Sequence, residues 1–489
     1  MSEYSSNFYA RWRERTPAWA LHEGGSSRPP EILLQHIWAR QRLKRDQLRT
    51  TDGEPLTVLH PGFWNREAGP DFSRAVIRIG GRDAREGEVE IDLSSGGWKA
   101  HGHDRNPNFK SVVLHVVWET SETPKTDLPT VVMKDFIDAP ISELRELLDG
   151  DSPPPLTADQ QGKCSAPLQQ LDSKSLEALL RSAARVRLES RASRIRARAK
   201  QAGWEQALIE GMFRALGYKN NAWPMQHLGE LSPKIRAGLS GDDPLNWQSA
   251  LLGIGGLLPD QLDSRKSVTD AYVKTVWDIW WRERDRFQAL ILPEKTWRLS
   301  GVRPANHPQR RIALAAHWLS DPKFFAKLET WFADLPENDS GIAATSTDEL
   351  FKILNPRKDA FWQDHWTLRS NPMSRPQPLL GTTRISDLVM NIILPWFFTR
   401  AAVGKNGAWR EKAERIWLAW PKAEDNALLR QARARLLGNA GPRVLKTAAH
   451  QQGLLQIVRD YCDHSNAICE QCPFPSLVTD WHWSNDAEQ

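Results

Sequence analysis

Residues 111–119 read SVVLHVVWE, an almost unbroken apolar run. A strand that alternated between core and water would show every second residue polar; this one is apolar at both phases, as a strand buried on both faces is. It needs neighbouring strands and cover on either side, and the sequence before it supplies candidates. EILLQHIWARQRLKRDQL (31–48) places Ile32, Leu33, Ile37 and Trp38, with Leu43 and Leu48 beyond, in the pattern of an amphipathic helix. LTVLH (56–60), SRAVIRIGG (73–81) and EGEVEIDLS (86–94) read as strands, separated by the turn TDGEP and the Gly/Pro-rich loop PGFWNREAGP. GGWKAHGHDRNPNFK (96–110) reads as a loop with one or two helical turns, and TVVMKDFI (130–137) as a further strand. The order helix, strand, strand, strand, link, strand predicts a small mixed α/β sheet.

The third strand carries Glu88, Glu90 and Asp92 at alternate positions, so all three side chains fall on one face. Asp71 stands just before the preceding strand. Like charges in a row do not all ionise cheaply, and a divalent cation is the usual remedy. A solvated acidic face is the plainer alternative. His115 on the apolar strand, and His101, His103 and Asp104 in HGHD, could add nitrogen and oxygen ligands or a general base.

The chain changes character after DGDSPPPLT (149–157). The divisions expected are an arm over 1–28, polar and bearing Trp and Arg, a sheet domain over 29–148, a linker over 149–170, and a helical domain over 171–489. The fold class is therefore α+β. Residues 171–203 read as a long helix or helical pair capped by Asp172 or Ser173, with Arg181, Arg185, Arg187, Arg191, Arg194, Arg196 and Arg198 along it. Arg187, Arg191, Arg194 and Arg198 recur at three- and four-residue steps, a basic stripe able to meet phosphates or simply water. In RPANHPQRRIALAAHW (303–318), Asn306, His307, Arg310 and Arg311 could line a pocket or meet phosphates, and helix capping by Asn306 is the simpler reading.

With a formal net charge of only +5, the chain permits a DNA or RNA partner without demanding one. No apolar run approaches the roughly 20 residues that span a bilayer, and MSEYSSNFYARWRERTPAW lacks an apolar signal core, so a cytoplasmic location is expected. Most of the 23 tryptophans should pack in cores. Cys462, Cys469 and Cys472 crowd together, with Cys164 far upstream. In a reduced compartment that favours a metal over disulfides: Zn²⁺ or a [4Fe–4S] cluster, with Cys164, His464 or His482 as the fourth ligand.

Three resemblances follow from these residues. The element order, with Pro70-Asp71 and then Glu90-Ile91-Asp92 or Glu88-Val89-Glu90, resembles the core of the PD-(D/E)XK nucleases. This resemblance implies a restriction-endonuclease-like sheet in which Asp71, Glu88 and Glu90 hold Mg²⁺ or Mn²⁺ and hydrolyse phosphodiester bonds in DNA or RNA. Asp92 stands where those enzymes carry lysine, so His115, His101 or His103 would have to take that role, or the protein binds nucleic acid or scaffolds without cutting. VLHPGFWNREAGPDF, GEVEIDLSSGGW, HGHDRNP, VVLHVVWE and RPANHPQRRIA together resemble domain-of-unknown-function family 2851, which implies no activity. Cys-x6-Cys-x2-Cys is similar to the start of the iron–sulfur loop of endonuclease III; the fourth cysteine of that loop would fall at Val478, leaving Cys164 to substitute.

Overall fold

The computed structural model describes residues 7–15, 29–65, 69–121, 127–144, 162–218, 220–259, 261, 271–336, 345–356, 358–423, 426–438, 445–462, 469 and 472–486. The chain forms two compact units. One comprises Met1–Ala197 and Phe397–Gln489, the other Arg198–Trp396. The mixed sheet belongs to the first.

Its strands are β1 (Leu56–His60), β2 (Phe63–Trp64), β3 (Phe72–Ile79), β4 (Arg85–Ser94), β5 (Val112–Glu119) and β6 (Thr130–Val132). They lie in the order β1-β3-β4-β5-β6, with β2 also pairing with β3. The β1/β3 and β3/β4 pairs are antiparallel; β4/β5 and β5/β6 are parallel. The direction changes after β4 because β4 and β5 are joined by a crossover, with helical turns at Gly97–Ala100 and Pro107–Phe109, and not by a hairpin. In β5, Leu114 and Val116 are buried on one phase, and His115 and Val117 on the other, which accounts for its apolar run.

Two irregularities set the register beside the acids. The β3/β4 pairing shifts between Phe72 and Ala75, where Arg74 takes a positive φ of 56°. The β4/β5 pairing shifts between Glu88 and Val89. A Cβ on Gly87 would overlap the Val113 side chain and sit 2.7 Å from the Ser111 carbonyl oxygen, so the bulged edge of β5 needs glycine there.

The helix Glu31–Ala39 buries Leu33, Leu34, Ile37 and Trp38 against a core of Val58, Phe72, Ile77, Ile91, Leu114 and Val116. The expected face is displaced by one position: Ile32 is exposed and Leu34 takes its place. The helix ends well before 48, where Gln41 turns with φ 49°, yet Leu43 and Leu48 still reach the core. The segment 130–137 is strand only to Val132 and continues as a helical turn at Met133–Asp135. In the loop 61–70 the short strand β2 was not foreseen.

The expected polar arm is corrected over its described part. Phe8–Arg15 is a helix whose Tyr9, Ala10 and Trp12 are buried with Leu168, Ile457, Tyr461 and Phe474, because positions i, i+1 and i+3 to i+4 share one helical face. Tyr9 donates a 2.8 Å hydrogen bond to Asp460, and Phe8 stacks on Trp481. Ser173–Ala202 is a single helix, capped by Asp172, whose Oδ1 accepts from the amides of Lys174 and Ser175.

Among the described residues the second unit is helical. Trp247, Trp362 and Trp396 are fully buried in it, as Trp38, Trp417 and Trp420 are in the first. Asn306 caps no helix: its Oδ1 accepts from Arg311, and His307 precedes the helix Pro308–Ser320 without a side-chain cap. Arg310 and Arg311 are buried and bonded within the protein. Arg310 donates to the carbonyls of Trp362, His365, Gln377 and Pro378, and Arg311 to Leu379, Tyr218 and Asn306. No described helix is long and apolar enough to cross a membrane.

Candidate metal centre

The start of β3 and the middle of β4 bring Asp71 and Glu90 together. The register Phe72↔Val89 sets the residues just outside it side by side. Backbone amides then fix both carboxylates: the Asp71 amide donates to Glu90 Oε2 at 3.1 Å, and the amide of Ile91, the residue after Glu90, donates to Asp71 Oδ2 at 2.9 Å. Gln35, on the polar side of the helix Glu31–Ala39, donates to Asp71 Oδ1 at 2.7 Å.

Asp92 lies two residues further along β4 and is 1% exposed. The register Glu90↔His115 and Asp92↔Val117 puts His115 beside it. His115 Nε2 is 2.9 Å from Asp92 Oδ2, with the imidazole fully buried. His101, from the crossover, reaches the other oxygen, Nδ1 to Oδ1 at 3.0 Å, and stays half-exposed. A Cβ on Gly97 would crowd the Asp92 carboxylate to 2.6 Å, so glycine is what lets the crossover start against it.

His103 completes the group. Its ring stacks on Phe109 at 3.9 Å between centroids, over the small cluster of Trp98, Phe109 and Val112. Its Nε2 lies 3.2 Å from Glu90 Oε1 without forming a hydrogen bond. Ligand atoms of Asp92, His101 and His103 all lie within 4.8 Å of one another. Asp71, Glu90, Asp92, His101, His103 and His115 thus form one continuous cluster at the edge where the crossover meets the sheet.

The electrostatics follow from burial. Asp71 is pushed up to about 7 by desolvation, opposed by the Ile91 amide and reinforced by Glu31 and Asp92. Glu90 is pushed up to about 8 by desolvation and then by the charge of Asp71. Glu31 is raised by burial and by Asp92, and burial lowers His103. Carboxylates held this way bind protons near neutral pH, or a cation in their place.

Some residues expected at the site lie elsewhere. Glu88 is engaged by Ser111, whose Oγ donates to it at 2.6 Å. Asp104 is exposed and faces Arg105. His115 is fully buried against Asp92. The arginine stripe is not an open face. Arg187 and Arg191 donate to Gln452 at 2.7 and 2.8 Å, and Arg198 makes a two-pronged bond to the Glu210 carboxylate. Arg194 and Arg196 also have partners. A helix buried on several sides satisfies its guanidinium groups within the protein. Cys164, Cys462, Cys469 and Cys472 line one pocket. His464 lies outside the described residues, and His482 lies in the helix Phe474–Asp486.

Glu31 and Gln35 were not anticipated. The available signal was their i, i+4 spacing on the side of the helix opposite Leu33 and Ile37.

The family model described as "Protein of unknown function (DUF2851)" matches residues 31–427, and the chain belongs to that family. The match takes in the whole acid and imidazole cluster and Cys164, and stops short of the other three cysteines. No curated protein and no solved structure matches the chain.

Proposed function

We propose that this member of the family is a divalent-cation-dependent nuclease, hydrolysing phosphodiester bonds in DNA or RNA at the cluster around Asp71 and Glu90. One observation carries the reading: two acids, one opening β3 and one on β4, fixed by the amides of Ile91 and Asp71, lie beside a His/Asp group where the crossover meets the sheet. The sheet order and its switch from antiparallel to parallel pairing at β4 support it, since they resemble the restriction-endonuclease-like arrangement implied by the element order.

The donor set fits a cation. Carboxylate oxygens suit Mg²⁺ or Mn²⁺, and the imidazoles of His101 and His103 also admit a transition metal. When bound, such an ion lowers the pKa of water and offsets charge developing on the phosphoryl oxygens. Asp71 and Glu90 would hold it, and their amide bonds and Gln35 would keep their orientation. Asp92 would orient His101: with Nδ1 facing Asp92, Nε2 is the ring nitrogen left to accept a proton from the attacking water. His115 would hold Asp92 in place from the buried side. Water oxygen bonds to phosphorus as the bond to the leaving sugar oxygen breaks; the proton of the attacking water passes to His101, and the leaving oxygen takes a proton from solvent water.

A second reading has support in one residue. Asp92 stands where the resembled nucleases carry lysine, which favours a protein that binds nucleic acid without cutting it. Purified protein incubated with labelled single- and double-stranded DNA and RNA, with Mg²⁺ or Mn²⁺, separates the two. Cleavage lost in Asp71→Asn and Glu90→Gln, with unchanged circular dichroism, is the expected result. Binding without cleavage under every condition would transfer the case to the second reading.

A further inference from the structure

The cysteines are used nowhere in the chemistry above, and their placement is unusual. The chain has four, and all four line a single pocket together with Arg435, Tyr461, Phe474 and Pro475. They come from separate elements. Cys164 directly precedes the helix Ser165–Gln170, Cys462 closes the helix Ala448–Tyr461, and Cys472 leads into Phe474–Asp486. Cys469 stands between the last two with φ 43°, a conformation few side chains adopt without cause. None is in a disulfide.

If these residues were only small apolar fillers, nothing would gather them. Cys is often buried singly in cores, but Cys164 is brought from some 300 residues upstream to meet the other three. The backbone accommodates the approach. The Gly162 amide donates to the Arg435 carbonyl at 2.9 Å, and a Cβ on Gly162 would press on the Cys164 sulfur at 3.1 Å. Arg435 then turns its guanidinium inward, with Nη2 donating to Cys469 Sγ at 3.3 Å. A cation beside sulfur stabilises thiolate, the form that ligates metals.

We propose that Cys164, Cys462, Cys469 and Cys472 hold one thiolate-ligated metal centre, either a tetrahedral Zn²⁺ or a [4Fe–4S] cluster. Four protein sulfurs leave no coordination position open, so the centre is structural. Its work is legible in the core around it. Cys164, Cys462 and Cys472 pack with Tyr9, Trp12, Leu168, Ile457, Tyr461, Phe474 and Val478, which joins the helix Phe8–Arg15 to the helices Ala448–Tyr461 and Phe474–Asp486. Metal binding here is binding to the folded state only, and so adds to the stability of that state. Arg435 offsets part of the negative charge of the four thiolates and donates to sulfur, the kind of contact that tunes such sites.

The full chain, purified without oxygen and without added metal, decides the matter by elemental analysis, acid-labile sulfide and visible absorbance. About four iron and four sulfide per chain with a brown colour identifies the cluster; about one zinc in colourless protein identifies the tetrahedral site. Either result supports the centre. Cys164→Ser should lower the bound metal at least several-fold, and Cys469→Ser, at a more exposed position, should do the same if the first variant fails to fold. Fewer than about 0.2 metal atoms per chain, after reconstitution with iron and sulfide or with zinc, would overturn the proposal, as would full metal content in both variants. Because the readout is metal and not cleavage, the result is independent of whether the acid cluster is a nuclease site.

Discussion

The acid cluster makes the stability of this protein depend on pH in a direction opposite to the usual one. Asp71 rises from an ordinary 3.8 to about 7, and Glu90 from 4.5 to about 8. The native state therefore keeps protons that the unfolded chain has lost, and stability falls as pH climbs from about 4 through 7 to 8. Relative to the unfolded chain, the contribution is intact below pH 4 and gone above pH 8. Each pKa unit is worth about 1.4 kcal/mol, so a shift of roughly three units for one carboxylate costs on the order of 4 kcal/mol by pH 8.5. The two costs do not add in full, since the charge of Asp71 is itself one cause of the rise at Glu90. Asp71→Asn keeps an oxygen for the Ile91 amide while removing the charge. Urea unfolding in EDTA at pH 5 and pH 8.5 should show the wild type losing about 4 kcal/mol between the two, and the Asn variant less, its remaining loss coming from Glu90, which burial still raises. Millimolar Mg²⁺ or Mn²⁺ should restore the wild type at pH 8.5 and leave the variant nearly unchanged. Equal slopes in both proteins, or a wild type that gains stability toward pH 8.5, would refute the reasoning.

Other outcomes follow from single contacts. His115→Ala takes the His115 imidazole from the buried Oδ2 of Asp92, leaving His101 on Oδ1, and should cost about 3 kcal/mol in urea unfolding, with His115→Gln milder because an amide can still donate. Gly87→Val forces a side chain into Val113 and the Ser111 carbonyl, and a loss of about 1–3 kcal/mol is expected; no loss would mean the bulge on β5 relaxes freely. Arg310→Ala leaves carbonyls of residues 362–378 without a donor, and hydrogen exchange should accelerate in that segment before any other. Arg191→Ala should lower the melting temperature while leaving the salt dependence of nucleic-acid affinity unaltered, because its guanidinium is already bound to Gln452; a flattened salt slope would restore the phosphate-contacting stripe.

Local patterns were enough for the four longer strands of the sheet. The strands at 56–60, 73–81, 86–94 and 111–119 are legible because pleating imposes alternation, and because burial on both faces removes it, as in β5. Glu90 and Asp92 were legible on one strand face for the same reason, Asp71 from its place just before the preceding strand, and Cys462, Cys469 and Cys472 as a group from their close spacing. What remained hidden were pairings across distance. Nothing in the spelling of Glu88 says that Ser111 claims it, nor in the arginines of 187–198 that Gln452 and Glu210 await them. The same holds for Gln35, which reaches Asp71 only because an amphipathic helix lays its apolar face on the sheet and so aims its polar face at the acids. It holds as well for Cys164, which sequence could nominate by elimination alone. Periodicity reports which way a side chain points relative to its own backbone. Which partner stands there is decided by the packing of separate elements, whose contacts are set by the whole core and not by any one segment.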